Sequence, residues 1–321
     1  STTDYAVTPL NITIDGVTAT LSSALNISRI IVEGFEAEIA GFVYLTGDIA
    51  FELEEIGDER KIFAAATDVV SFLGANRGTG SALGIELSEG TLGLILFADG
   101  TYVLDVAVKA ELVGLASLDL EGGMRVRVNN TGLEINETIN IGDAEVNVLF
   151  ETAANIQSLA GNVTVDVLGF VFIEGDFGFE KTTTTDMATT TTKILVGAAN
   201  VNIFLGTTDK TLGVALTIDQ LGLLLLNVDD GVDPANSYAL TAEGSASLVG
   251  IEALTLAGTL AVQINNTGLA IDETITVGTG ATATTVDMDF DATDIEALQG
   301  TINVDVLGFV FIEGDFGFEK T

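Results

Sequence analysis

The sequence predicts an all-β fold made of tandem antiparallel sheet repeats, arranged either as sandwiches or as an elongated meander. Three observations lead to this prediction. Apolar residues alternate with polar ones at period two, long blocks of sequence recur within the chain, and short glycine-containing turns separate the apolar stretches. Helical spacing fits no segment convincingly. Short turns favour antiparallel neighbours, because a parallel crossover needs a dozen or more residues.

The alternation is clearest in residues 165–180. Their odd positions carry only apolar side chains or glycine, whereas the even positions are apolar only in the middle. Residues 304–319 repeat this pattern and residues 37–52 keep its apolar face. Period two over sixteen residues predicts one long strand, or two strands joined by a bulge at the Gly-Asp step. We expect the odd face to be core, with these residues buried: Val171, Ile173, Phe177, Val310, Ile312 and Phe316.

Internal repetition defines the domain organisation. Residues 165–181 read VDVLGFVFIEGDFGFEK, and residues 304–320 are identical to them. The matched blocks divide the chain as follows: residues 1–60 as the back half of a preceding repeat, 61–181 as one β unit, 182–192 as a Thr-rich linker, and 193–321 as a second β unit. A chain that starts in mid-repeat suggests a longer tandem array. The linker is expected to be an extended connector, with a true strand as the alternative, since threonine has high β propensity.

Turn signals support the up-and-down order of strands. Residues 91–97 and 102–107 flank Asp99-Gly100, which is typical of a β-hairpin. The corresponding turn in the second unit is widened to residues 229–236. The motif Asn-Asn-Thr-Gly occurs at Asn129 and again at Asn265, where it fits either turn chemistry or an N-glycosylation acceptor.

Composition excludes several classes of function. The chain has 11 Lys and Arg residues against 47 Asp and Glu, a net charge of −36, and no His or Cys. Without His and Cys there is no Ser-His-Asp or Cys-His machinery and no thiolate or imidazole zinc site. An acidic surface repels nucleic acid and anionic lipid headgroups alike. No apolar run approaches the roughly 18 residues of a membrane-spanning helix, so we expect no membrane insertion.

Catalysis is not expected either. Glu174 and Asp176, repeated as Glu313 and Asp315, resemble the carboxylate pair of a retaining glycosidase. However, both members of each pair lie in one strand, whereas catalytic pairs converge from different elements in a cleft. We therefore predict that the protein is not an enzyme.

Two acidic segments are candidate Ca²⁺ sites, because Ca²⁺ takes six to eight oxygen ligands. On a strand, Asp287, Asp289 and Asp291 would lie on one face, and the alternative is a solvated acidic surface. The loop holding Asp229, Asp230 and Asp233 offers carboxylates at short spacing, and the alternative is a polar hairpin loop. No cofactor other than Ca²⁺ is expected.

The motifs Phe-Leu-Gly, Leu-Gly-Leu and Leu-Val-Gly-Leu come first, followed by a glycine-preceded strand, Asn-Asn-Thr-Gly, and Gly-Phe-Val-Phe with Gly-Asp-Phe after it. This order resembles the tandem repeats of giant bacterial extracellular surface and adhesin-like proteins. The resemblance covers residues 61–321. It implies an extracellular, multi-repeat, acidic β-protein with a structural or adhesive role, and it supplies no catalytic residues.

These observations together predict a structural repeat protein on the cell surface, part of a filament, stalk or adhesin that assembles with copies of itself or with adjacent repeats. Two alternatives remain. The repeats present a ligand-binding surface, for glycans or ice, or the protein is a lipid-holding β-groove, since a long sheet with one wholly apolar face curls around acyl chains.

Overall fold

The structure, a computed structural model, describes residues 9–14, 17–22, 27–39, 43–56, 59–187, 189–231 and 235–320. These residues are almost entirely β, with one 3₁₀ turn at Gly280–Thr282 and no α-helix among them. The strands are β1 Leu10–Ile14, β2 Val17–Ser22, β3 Ile27–Ile39, β4 Val43–Ile56, β5 Glu59–Ala75, β6 Leu83–Phe97, β7 Tyr102–Val113, β8 Leu118–Asn129, β9 Ile135–Ile141, β10 Ala144–Phe150, β11 Asn155–Val167, β12 Val171–Asp186, β13 Thr189–Gly206, β14 Gly213–Asp229, β15 Ala235–Val249, β16 Leu254–Asn265, β17 Ile271–Val277, β18 Thr284–Phe290, β19 Ile295–Val306 and β20 Val310–Lys320.

The strand order confirms the all-β antiparallel meander. The chain divides into two compact units, Ser1–Gly114 with Arg125–Gln157, and Leu115–Met124 with Ser158–Thr321. In the first unit β1 to β7 each pair with the next strand. In the second unit β12 to β16 do the same, followed by β19 and β20. Residues of β8 and β11 belong to both units.

Two strand pairs leave the meander and form separate hairpins, β9–β10 and β17–β18. In the second unit the β17–β18 hairpin packs on β12, β13 and β14. Its inward side chains form a buried cluster with residues of the sheet below it: Leu195, Ala199, Leu224, Ala239, Ile271, Ile275, Val277, Val286, Met288 and Phe290. We call the side of the sheet that the hairpin covers the hairpin face.

Small residues allow the hairpin to approach the sheet closely. A Cβ atom added at Gly197 would lie 2.8 Å from Cγ1 of Val277, and one at Gly222 would lie 2.7 Å from Cγ of Met288. A Cβ at Gly178 would overlap the carbonyl oxygen of Thr276. Glycine therefore fits these positions because the hairpin occupies the space of a side chain, with its backbone at Gly178 and with its own side chains at Gly197 and Gly222.

The first unit uses the same construction. Its β9–β10 hairpin packs on β4, β5 and β6 and forms a second buried cluster, which includes Phe63, Ile95 and Val103 of the sheet and Ile139 and Val148 of the hairpin. One ion pair recurs between sheet and hairpin, Lys61 with Glu137 in the first unit and Lys193 with Glu273 in the second. The internal repetition in the sequence therefore corresponds to a repeated sheet-plus-hairpin arrangement.

The predicted single strand over residues 165–180 is wrong. β11 ends at Val167 and β12 begins at Val171, because Leu168 and Gly169 adopt φ values of 57° and 62° and form a tight turn. The amide of Phe170 donates to the carbonyl of Val167 (3.0 Å), and the amide of Gly169 donates to Oδ1 of Asp166 (2.8 Å). The second copy folds identically, with Leu307 and Gly308 at 58° and 64°. The expected irregularity at the Gly-Asp step is present as a register shift between Glu174 and Asp176.

The predicted burial of the odd face is also wrong. Val171, Ile173 and Phe177 are only partly buried, and in the second copy Val310, Ile312 and Phe316 are exposed. The buried cluster lies on the even face instead, around Gly178, because the hairpin covers that side. Alternation defines two faces of a strand but does not say which face another element covers.

The Thr-rich segment 182–192, expected to be a linker, is paired β structure in the residues that the structure describes, apart from the exposed turn residue Met187. Thr182 to Asp186 end β12, and Thr189 to Thr192 begin β13. The strand alternative therefore holds. The β-branched side chains pair across the two strands, with the hydroxyls of Thr185 and Thr190 3.3 Å apart.

The hairpin prediction at Asp99-Gly100 is confirmed. β6 ends at Phe97, β7 begins at Tyr102, and the amide of Gly100 donates to the carbonyl of Phe97 at 3.1 Å. Asp99 fixes the turn, since the amide and the hydroxyl of Thr101 both donate to its Oδ1. These two hydrogen bonds favour the ionised carboxylate and lower the pKa of Asp99.

Candidate functional site

The side of the sheet opposite the hairpin face carries many aliphatic side chains, although no hairpin covers it. In the second unit, the side chains that alternate with those under the hairpin are almost all aliphatic. Across β13 to β16 they are Ile194, Val196, Ala198, Val201, Ile203, Leu205, Val214, Leu216, Ile218, Leu221, Leu223, Leu225, Tyr238, Leu240, Ala242, Gly244, Ala246, Leu248, Leu256, Gly258, Leu260, Val262 and Ile264. We call this set the open face. These positions include no charged residue, and their one polar group is the Tyr238 hydroxyl. Beyond Ile194, Leu225 and Tyr238 the same rows end in polar side chains: Thr192, Thr190, Asn227, Asp229 and Asn236.

Strand register makes the open face continuous. Ala198 lies beside Leu221, and Leu221 lies beside Ala242 in the next strand. Ala242 in turn pairs with Val262. The row from Val214 to Leu225 is about 36 Å long at 3.3 Å per residue. The open face is therefore a broad apolar surface rather than a set of scattered residues.

The hairpin face of the same strands has the opposite character outside the hairpin. Beyond the buried cluster it carries Asn202, Thr217, Gln220, Glu243 and Thr259. Since a soluble sheet normally turns its polar side to water and its apolar side to the core, this polar region needs no further cover. The open face does, and within the described residues no element packs over it.

Exposure confirms that the open face is uncovered. Leu225 is 41% exposed, Leu256 is 43% exposed and Leu260 is 46% exposed. The largest apolar patch of a typical soluble monomer is about 300–600 Å² and is itself often functional. The open face places such aliphatic side chains next to one another on four adjacent strands.

The open face is concave in places. One open groove of about 460 Å³ runs over β13 to β16 and is lined by Ile203, Leu216, Ala242, Gly258 and Leu260 among others. A second groove of about 290 Å³ continues toward β20, where Leu248, Leu256, Ile302 and Phe316 line it. The two share Ala246, Gly258 and Thr259. The Thr259 side chain lies on the hairpin face, where its hydroxyl is 2.8 Å from that of Thr301.

Alternating large and small side chains produce the grooves. Gly244 faces Leu260 across the β15–β16 pair, and Ala246 faces Gly258. Glycine and alanine therefore form a floor between walls of leucine and isoleucine. Volumes of a few hundred Å³ and aliphatic linings are typical of sites for apolar ligands.

The first unit has an open face of the same kind. Its members on β5 to β7 are Ile62, Ala64, Ala66, Val69, Ser71, Leu73, Ile85, Leu87, Leu92, Leu94, Leu96, Tyr102, Leu104, Val106, Ala110 and Leu112. Ile85 is 45% exposed and Ile62 is 39% exposed. Tyr102 stands at the end of its row, as Tyr238 does in the second unit.

The predicted acidic row lies elsewhere, on the outer side of the β17–β18 hairpin. Asp287 and Asp289 are exposed and alternate with the buried Val286, Met288 and Phe290, as expected for a strand. The hydroxyl of Thr274 donates to Oδ1 of Asp287 at 2.9 Å. Asp291 follows the end of β18, and its carbonyl accepts from Nδ2 of Asn265 at 3.0 Å. Asp289 faces Asp272 across the hairpin.

The second predicted acidic segment is only partly described. Asp229 ends β14, and its Oδ1 accepts the amide of Gly231 at 2.8 Å, which is an Asx turn. Asp230 is exposed, and Asp233 lies outside the described residues. Among the described residues, no three His, Cys, Asp or Glu side chains are grouped to hold a metal ion. Ca²⁺ binding at either segment stays a prediction.

The carboxylates of the Gly-Asp step bond to neighbouring amides. Nδ2 of Asn202 donates to Glu174 (3.3 Å), and Nδ2 of Asn200 donates to Asp176 (3.2 Å). Asn200 has a φ of 54° and stands at the bulge opposite Gly175. The pair therefore serves the local geometry of the β12–β13 bulge.

The two Asn-Asn-Thr-Gly motifs are structural turns. Asn129 and Asn265 are 0% and 1% exposed. Each donates from Nδ2 to the carbonyl four residues ahead, at 2.8 Å and 2.9 Å, and each accepts the amide two residues ahead at 3.0 Å. The following asparagine accepts a backbone amide of a neighbouring strand, from Tyr102 or Tyr238. A buried, hydrogen-bonded amide has no room for a glycan, so turn chemistry explains the motif.

Comparison with known proteins gives little. No family model matches the chain, and no curated protein matches it. A solved structure that aligns over 96% of this chain and 94% of its own is OmpT (in-vitro folded), an outer membrane protein of Vibrio cholerae, at 9% sequence identity and a TM-score of 0.29. Agreement at that level does not establish a shared fold. The described residues include no helix with the length and apolarity needed to cross a membrane.

Proposed function

We propose that this protein holds the hydrocarbon chains of lipids against the open face of its sheet. The observation that supports this most is the aliphatic composition of the open face over residues 194–205 of β13, 214–225 of β14, 238–248 of β15 and 256–264 of β16, where it has no charged side chain. Sugars and peptides need hydrogen-bonding partners in their sites, whereas a hydrocarbon chain needs only apolar contact.

The dimensions of the open face agree with this ligand. Half of a bilayer's hydrocarbon core, the depth reached by one layer of acyl chains, is about 15 Å. The row of about 36 Å is longer than that. Acyl chains lying along the two grooves would contact leucine and isoleucine on both sides and glycine or alanine beneath.

The net charge of the protein indicates which lipid headgroups it favours. The chain carries a net charge of −36, so it disfavours anionic headgroups near its surface. Zwitterionic lipids such as phosphatidylcholine avoid this repulsion. We therefore expect zwitterionic lipids to be bound in preference to anionic ones, more so at low ionic strength.

A paired substitution tests the lipid-holding function. Leu260→Glu places a carboxylate on the open face, and Thr259→Glu places the same charge on the exposed hairpin face of the adjacent position. Burying an unpaired carboxylate under an acyl chain costs several kcal/mol, and each 1.4 kcal/mol is a factor of ten in affinity. We expect Leu260→Glu to weaken binding of labelled phosphatidylcholine at least tenfold and Thr259→Glu to leave it within twofold.

The readout is the amount of lipid that stays with the full-length protein after size-exclusion chromatography, together with a binding titration. Circular dichroism and thermal melting check that both variants fold. Equal lipid retention by both variants would reject the open face as the lipid site, and so would the absence of bound lipid in the parent protein.

A structural role on the cell surface, in a filament, stalk or adhesin, is the second candidate. It is supported by the recurrence of one sheet-plus-hairpin arrangement in both units and by the acidic composition. For this function the open face would contact another copy of itself. Lipid-free protein would then form large assemblies with rising concentration, which the lipid-holding function does not require.

A further inference from the structure

The last described strand, β20, has one unpaired edge, and β12, a strand of identical sequence, shows which kind of strand fits that edge. Residues 310–320 of β20 are identical to residues 171–181 of β12. β12 lies between β11 and β13 in the sheet: it pairs with β11 along one edge and with β13 along the other. β20 pairs with β19 alone among the described strands, and all eleven of its residues are exposed.

The surroundings of the two strands match in detail on the paired side. Phe177 packs over Gly161, and a Cβ there would lie 2.6 Å from its Cζ; Phe316 packs over Gly300 with the same distance. The turns before the strands also match, since Leu168 and Leu307 each donate a 2.9 Å hydrogen bond to an upstream carbonyl. β19–β20 therefore reproduces β11–β12 in structure as well as in sequence.

The free side of β20 carries groups that are used in β12. The carbonyl of Phe170 accepts the amide of Gly206 at the end of β13, at 2.9 Å. Phe172 packs against Phe204 with ring centroids 6.3 Å apart. The corresponding Phe309 and Phe311 are 88% and 70% exposed.

A glycine of β20, Gly317, is a second sign that an element seen next to β12 is absent next to β20 among the described residues. Gly178 is required because the carbonyl of Thr276 occupies the position of its Cβ. The corresponding Gly317 has only the carbonyl oxygen of Leu298 nearby, 3.9 Å from a Cβ at that position. The space that a hairpin fills above Gly178 is therefore open above Gly317.

We infer that the outer edge of β20 accepts, by antiparallel strand addition, an edge strand of the β13 type from another repeat unit. The partner is defined by its sequence pattern, a strand like TTTTKILVGAANVNIFLG of residues 189–206. Backbone hydrogen bonds supply the affinity, and alternating side chains set the register. This inference does not depend on the lipid-holding function, because it concerns the edge of the sheet and not its open face.

The β12–β13 pairing gives the expected register. By equivalence, Val310 faces the position of Leu205, Phe316 that of Ala198, and Glu319 that of Leu195. Ten of the eleven residues of β20 have such a partner; Gly314 takes the place of Gly175, where the register shifts at the bulge. A one-residue slip would turn the apolar side chains of the incoming strand to the wrong face.

Disulfide trapping tests both the partner and the register, because the chain has no cysteine of its own. The full-length Glu319→Cys variant is mixed under mild oxidation with a synthetic peptide of residues 189–206 that carries Leu195→Cys. Paired strands place their Cα atoms about 4.5–5.5 Å apart, within the 4.4–6.8 Å range of disulfides. The control peptide carries Val196→Cys, which points to the other face. The full-length double variant Glu180→Cys with Leu195→Cys checks that this geometry forms a bond.

We expect at least tenfold more cross-linked product with the Leu195→Cys peptide than with the Val196→Cys peptide, and an internal disulfide in the double variant. The inference would be overturned by equal yields from the two peptides. It would also be overturned if neither peptide cross-linked under conditions in which the internal disulfide forms.

Discussion

Met288→Asp should lower the free energy of unfolding by more than about 3 kcal/mol. Met288 is 1% exposed between the β17–β18 hairpin and the sheet, where it fills the space above Gly222. An aspartate there leaves an uncompensated buried charge, a change that typically costs about 3–5 kcal/mol. The facing residue in β17 is Glu273, already ion-paired with Lys193, so the new carboxylate has no cation to itself among its described neighbours.

Urea unfolding followed by circular dichroism measures this change. Met288→Leu is the matched control, because it conserves volume and apolarity and should cost less than about 1.5 kcal/mol. Unfolding of Met288→Asp at the urea concentration of the parent protein would show that the hairpin does not pack on the sheet.

Gly178→Ala should destabilise the protein by about 1–3 kcal/mol, the usual cost of overpacking. The added methyl group would overlap the Thr276 carbonyl and push the hairpin from the sheet. Neither Gly178 nor its counterpart Gly317 has a positive φ, so the effect comes from the lack of space for a side chain and not from backbone strain.

The chain provides a control in an identical sequence. Gly317→Ala changes the same residue of the same FIEGDFGFEK block, but its nearest contact is at 3.9 Å. Thermal melting should show a lower midpoint for Gly178→Ala and a midpoint close to that of the parent for Gly317→Ala. Equal shifts for the two variants would mean that local strand propensity, and not the hairpin, determines the effect.

Most of the fold was predictable from the sequence because period-two alternation and turn residues are local signals. The Asp99-Gly100 hairpin is an example, since its turn needs only the residues within it. The tight turn at Leu168-Gly169 was not predictable in the same way. A leucine with a φ of 57° is uncommon because this backbone conformation costs conformational energy, so a leucine at this position does not predict a turn. The hydrogen bond from Gly169 to Asp166 contributes to holding it.

The sequence predicts that the candidate site is apolar but not that it is uncovered. Alternation identifies the apolar odd face of residues 165–180 and predicts its burial, whereas in the structure that face continues the open face. The covering element, the β17–β18 hairpin, is nearly a hundred residues further along the chain, and it packs on the other face through Gly178 and Gly197. Which face of a sheet is covered is a long-range property that alternation does not contain. The groove floor at Gly244 and Gly258 depends on cross-strand register for the same reason.

The central claim is that lipid hydrocarbon contacts the open face and not the hairpin face, and spin labelling at adjacent positions tests it most directly. Because the chain has no cysteine, Leu260→Cys and Thr259→Cys each give one labelled site. In protein loaded with phosphatidylcholine, collision of the nitroxide with oxygen reports hydrocarbon, and collision with a water-soluble nickel chelate reports solvent. The account predicts oxygen-dominated relaxation at residue 260 and nickel-dominated relaxation at residue 259. Nickel access at residue 260 equal to that at residue 259 would contradict it.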